Sequence, residues 1–130
     1  YCYFFSNDYV KAISYFENLY KHQLASKDLS AQGMFSLAEN FHKMAICHFS
    51  IGNVRSALDL IEQEILICKG VIENDKANKQ IFTNLIQQAY VLDATCNFKI
   101  EKKTQACISW ALAKEYGYQK SDLTFDEFCK

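Results

Sequence analysis

The sequence has 130 residues, half of them hydrophobic and 15% aromatic, with a formal net charge of −1. That length suits one domain of ordinary size, and so much apolar surface excludes a disordered chain. Acidic and basic side chains are interspersed without a basic stripe, which argues against nucleic acid, and no apolar run reaches the ~18 residues a membrane helix requires.

Proline is absent and glycine occurs four times, too few for the turns of a many-stranded protein, so the chain should consist of long helices. The first is predicted at 8–25, opening on NDYVKAISYF. A turn at Ser26–Asp28 leads into a helix at 28–51, where Leu29, Met34, Leu37, Ala38, Phe41, Met44, Ala45 and His48 recur at steps of three and four. Phe35, Ile46 and Phe49 lie round its side, so this helix should be sandwiched between neighbours. Gly52-Asn53 breaks the chain before a helix at 53–69, which should end at Gly70 with Asn74-Asp75. The next helix, 76–99, repeats the two-sided pattern with Phe82, Ile86, Ala89, Tyr90, Ala94 and Phe98. A fifth, 103–117, stops at Gly117. In the tail SDLTFDEF, Ser121 or Asp122 can cap a short amphipathic turn through Leu123, Phe125 and Phe128, which would start another repeat or cap the stack.

Three segments align with one another: NDYVKAISYF at 7–16, GNVRSALDLI at 52–61 and EKKTQACISW at 101–110. Each places an alanine (Ala12, Ala57, Ala106) four residues before a bulky side chain (Phe16, Ile61, Trp110), hence on one helical face. The small residue lets a neighbouring helix approach and the large one fills the space beside it. In the second repeat Phe41, Met44, Ala45, His48, Gly52, Ala57 and Ile61 fall on the positions of the tetratricopeptide (TPR) motif, which this chain resembles. Glu64 departs from the motif's small residue, and Asp93 and Asn97 stand where apolar residues are usual. The resemblance implies an all-α, TPR-like helix–turn–helix solenoid of about three repeats. Because the sequence begins with Tyr1, within a repeat, it reads as a stretch of a longer repeat protein.

The spacing is wide: 45 residues from Ala12 to Ala57 and 49 from Ala57 to Ala106, against ~34 for an ordinary TPR. The run NDYVKAISYF, ASKDLSAQGMFSLAENFHKM, ALDLIEQE resembles, over residues 1–66, the TPR region of the Rap proteins, the Bacillus response-regulator phosphatases and peptide receptors. That resemblance implies a cytoplasmic, ligand-sensing domain for a short peptide or a partner protein such as a response regulator. The family's alternative activity, aspartyl-phosphate hydrolysis, belongs to an upstream helical bundle, and no glutamine here inherits it. A purely structural scaffold is a further alternative.

In TPR stacks the first helix of each repeat lines the concave groove. The residue eight before each repeat alanine is then Phe4, Phe49 and Phe98, a ladder of aromatic anchors for an extended peptide. The same rings could instead pack between repeats. Glu39, His42 and Ile46 neighbour the ladder on the second repeat; Gln88, Val91 and Thr95 do so on the third. Ile46 and Thr95 replace the asparagine of the clamp that grips a C-terminal carboxylate, so that mode is not expected.

No constellation for catalysis is apparent. His22, His42 and His48 lack partners at zinc-ligand spacing, Cys47 and His48 point about 100° apart on one helix, and Glu62 and Glu64 read as solvated surface residues. No metal or other cofactor is expected. The six cysteines, at 2, 47, 68, 96, 107 and 129, include no C-x-x-C pair; they read as free thiols serving as small hydrophobes in a reducing compartment.

Overall fold

The computed structural model describes residues 9–26, 30–120 and 123–129, and every regular element among them is helical. The helices are α1 (Tyr9–Ser26), α2 (Ala31–Ser50), α3 (Val54–Asn74), α4 (Lys79–Lys99), α5 (Lys103–Glu115) and α6 (Leu123–Phe128), with one turn of 3₁₀ helix at Lys76–Asn78 before α4. Five of the six match the expected positions, and α6 forms from the tail's amphipathic turn.

Each helix from α1 to α5 packs antiparallel on the next. Between α2 and α3, Ala45 meets Val54 and Ala57 near the turn, while Ala38 and Cys68 meet far from it. Cys68 in turn lies with Phe82, and Ile61 with Ala89, so α4 runs back along α3. Ala94 with Ala106, and Tyr90 with Ala113, set the same relation between α4 and α5. α2 also touches α4 across the pair they share. Ala12, Ala57 and Ala106 are buried to 1%, 0% and 0% exposure, as the repeat alignment requires. A methyl group at each position keeps the crossing close, and Phe16, Ile61 and Trp110 fill the adjacent space.

Turn chemistry explains the hairpins. α2, α4 and α5 each end with a residue at positive φ, Gly52 (84°), Glu101 (62°) and Gly117 (100°). At each of them two backbone bonds close the helix end: Asn53 N–H to His48 O and Gly52 N–H to Phe49 O, Lys102 to Asn97 and Glu101 to Phe98, Tyr118 to Ala113 and Gly117 to Lys114. At the other end of α2, Ser30 Oγ accepts from Gly33 N–H at 3.1 Å, so the helix starts at Ala31, three residues after the expected start at 28. The caps expected at Ser121 or Asp122 lie outside the described residues.

Three expectations need correction. α3 does not stop at Gly70 but continues to Asn74, because Val71 and Ile72 still pack on the Phe82–Ile86 cluster. That burial outweighs the ~1 kcal/mol a helical glycine costs. Glu64 is not a solvated residue: it is wholly buried between α2 and α3. Cys107 and Cys129 are not free thiols but form a disulfide, Cα to Cα 5.4 Å, that ties the end of α6 to α5. Cys47, Cys68 and Cys96 are free and buried, in the expected role of small hydrophobes.

Candidate functional site

On α2 the residues Ala38, Phe41, Met44, Ala45 and Cys47 are turned inward. Glu39, His42, Ile46 and Phe49, at steps of three, four and three, form a stripe beside them that stays half-buried. On α4 the equivalent stripe is Gln88, Val91, Thr95 and Phe98: Gln88 and Phe98 are exposed, and Val91 and Thr95 are half-buried. α2 and α4 run in the same direction, since each is antiparallel to α3, and they touch. The two stripes therefore belong to neighbouring helices, and none of the eight side chains is sealed in the core.

His42 has the most defined environment. Its Nδ1 lies 2.9 and 3.1 Å from the two carboxylate oxygens of Glu64. Burial raises the proton affinity of Glu64, and the hydrogen bond and charge of His42 lower it in part. The glutamate also helps, after burial, to push the neighbouring Cys68 thiol up to about 12, which makes that sulfur inert. His42 is thus held in one orientation at the margin of the stripe, with 20% of its side chain accessible. On the same helix Glu39 accepts from Lys43 one turn on, at 3.4 Å.

The polar residues that looked out of place on α4 form a second local network. Ser109 on α5 donates its hydroxyl to the Asp93 carboxylate, and Asn97 Nδ2 donates to the Asp93 carbonyl at 3.0 Å. Burial raises the Asp93 carboxyl, the Ser109 hydrogen bond lowers it in part, and the charge of Glu62 adds a smaller upward push. Thr95 spends its hydroxyl on its own helix, donating to Val91 O at 2.9 Å.

The aromatic ladder is divided rather than continuous. Phe49 packs on Ala45, Val54, Ala57, Ile61, Ala89 and Cys96, so its ring fills the seam between α2, α3 and α4. Phe98, 38% exposed, is met edge-on by Phe125 at 5.7 Å and Phe128 at 4.8 Å, both from α6. Val91 is drawn to the same cluster of Ala94, Ala106, Trp110 and Phe125. Phe4 lies outside the described residues. Beside Phe98, a cavity of about 490 Å³ opens between Lys99, Glu101, Lys103 and Phe128. The tail's amphipathic turn was expected to start another repeat or cap the stack; that its Phe125 and Phe128 would settle on Phe98 was not expected from the sequence.

No group of three or more His, Cys, Asp or Glu among the described residues is placed to hold a metal ion, and no described helix is long and apolar enough to cross a membrane. No family model, curated protein or solved structure matches this chain.

Proposed function

We propose that the chain is a TPR-like repeat domain that binds a short peptide or a partner protein, serving as the ligand-sensing part of a regulatory receptor of the kind the Rap resemblance implies. One observation carries the reading. Two neighbouring, co-directional helices keep matched stripes at the same helical register accessible, while the faces beside them are packed with buried alanines. Side chains spaced along two helices in one direction suit an extended or helical ligand better than a small molecule. Phe49 aside, the stripes mix apolar groups (Ile46, Val91, Phe98) with amide, carboxylate and imidazole groups (Gln88, Glu39, His42), which is the composition of a recognition surface. The repeat spacing and the α2–α4 contact support the TPR-like architecture.

Selection from a displayed random-peptide library against the full chain tests this. Captured peptides are then measured against Glu39→Trp and Gln88→Trp, where an indole would stand in the ligand's path. Affinity should fall about tenfold or more, 1.4 kcal/mol. Both positions are accessible, so melting temperature should move by no more than about 2 °C. Peptides that bind both variants as tightly as the parent chain would show that the ligand lies elsewhere.

A further inference from the structure

α6 has only six residues, Leu123–Phe128, too few to be stable as an isolated helix. Its contacts hold it in place. The Phe125 ring, 6% exposed, stacks on Trp110 at 4.9 Å and 18°, and Phe128 sits edge-on against Phe98 with Lys103 Nζ 4.6 Å from its ring centre. Between the two phenylalanines, Asp126 accepts from Trp110 Nε1 at 3.3 Å and lies 3.8 Å from Lys114 Nζ. That lysine also stands over the indole at 4.9 Å. Two aromatic anchors at i and i+3, with a carboxylate between them on a lysine and an indole N–H, form the contact set by which an amphipathic helix docks on another protein's groove.

The rest of the molecule is put together differently. From α1 to α5, neighbours approach through buried alanines; α6 instead rests on an aromatic surface. The cavity beside Phe128 shows that the surface extends past what α6 fills. Lys99 and Lys103 line the cavity, with Glu101 as the opposing charge, and Lys114 adds a further positive charge over the indole of Trp110.

We propose that the aromatic seat on α4 and α5 is a docking site for an acidic amphipathic helix with two phenylalanines three residues apart, that α6 occupies this site in cis, and that the Cys107–Cys129 disulfide is the lock that keeps a partner helix out. The proposal rests on the peptide-binding reading and specifies one end of that surface and its control. Opening requires a dithiol reductant. One of its thiolates attacks a sulfur of the pair, and the other cysteine leaves as a thiolate and takes a proton. The reductant's second thiol then resolves the mixed disulfide, leaving Cys107 and Cys129 as thiols and the reductant as a disulfide. Once the bond is open, α6 keeps its few side-chain contacts and a short tether, but its helix must nucleate each time it docks. A longer, acidic helix with the same two rings then displaces it, drawn in by the lysines.

The probe is a synthetic acidic helix, labelled and free of cysteine, that carries the LTFDEF sequence; the protein is the full chain. Reduced protein should bind it at least tenfold more tightly than oxidised protein, and Cys129→Ser should bind like the reduced form under either condition. Removing the internal competitor with Phe125→Ser and Phe128→Ser on the Cys129→Ser background should tighten binding again, while Lys103→Glu with Lys114→Glu should weaken it at least tenfold. Trp110 is the only tryptophan, so its emission should shift to the red on reduction and return when the probe is added. Equal binding to oxidised and reduced wild-type chain, or no binding to either, overturns the proposal without relying on a variant that has to fold. Dimers appearing on reduction overturn it as well, because a second copy's α6 would then fill the seat. Library-selected peptides blocked by Gln88→Trp but indifferent to reduction would leave the general peptide-binding reading standing while this inference fell.

Discussion

A glutamate with no access to water needs a partner or a proton, and Glu64 has the means for both. His42 supplies the partner, while burial, the larger influence, raises the carboxyl above its ordinary 4.5. The native state therefore holds this proton to higher pH than the unfolded chain does. A raised folded value gives a stability contribution that is fully present below about pH 4.5 and is lost as pH climbs through the native value. Asp93, also raised mainly by burial, works in the same direction. Urea unfolding followed across the range from about pH 4 to 8 should show stability declining on the alkaline side of 4.5, and Glu64→Gln should flatten much of that slope. Glu64→Ala should cost about 2–4 kcal/mol at neutral pH, since it removes the hydrogen bond to His42 and leaves a cavity. A slope unchanged in Glu64→Gln would mean that this carboxyl is not what titrates.

Helical hairpins impose two local demands, a small residue at the crossing and a left-handed residue at the turn, and substitutions test each. Ala57→Leu would insert three heavy atoms where there is 0% exposure, and should destabilise by about 1–3 kcal/mol. The turn between α2 and α3 uses Gly52, whereas the equivalent turn between α4 and α5 uses Glu101 at φ 62°. A left-handed non-glycine residue costs roughly 1–2 kcal/mol, against ~0.5–1 kcal/mol for the extra freedom of glycine in the unfolded chain. Glu101→Gly should therefore stabilise by up to about 1 kcal/mol, while Gly52→Ala should destabilise by a similar amount. Thermal melts of the three variants give signs that must come out in this order; a stabilising Gly52→Ala would contradict the turn geometry. These elements were the legible part of the sequence, because alanine spacing, the two-sided apolar period of α2 and α4, and glycine at two of the three left-handed turns are all local signals. The Glu64–His42 pair and the Cys107–Cys129 bond were not legible, since each joins residues 22 apart whose meeting depends on helix rotation and on where α6 docks. The accessible stripes were readable as helical positions, but the division of Phe49 and Phe98 between two clusters depended on packing that no spacing encodes.

Extensive packing in this stack is between consecutive helices, with α2–α4 the main contact beyond that, so local stability should vary along it instead of being shared equally. α3 and α4 are covered on both sides, as is α2 by α1 and α3. α1 buries only Ala12, Ile13 and Phe16 and leaves Val10, Tyr15 and Leu24 more than half exposed. α6 has Phe125 as its one buried residue among the side chains described, and leans on the disulfide for the rest. The bond closes a loop whose loss raises the entropy of the segment it holds, and that segment is peripheral. Its removal should thus loosen α6 without weakening the centre. Amide hydrogen exchange on the oxidised chain should show the strongest protection in α2, α3 and α4, with α1 and α6 weaker. After reduction, or in Cys129→Ser, the α6 amides should exchange at least tenfold faster while protection in α2–α4 stays unchanged. If reduction instead lowered protection through α2, α3 and α4 to the same degree, the six helices would be opening as one unit. α6 would then be part of the core's cooperative structure, and it could not serve as a cover that leaves while the seat beneath it remains folded.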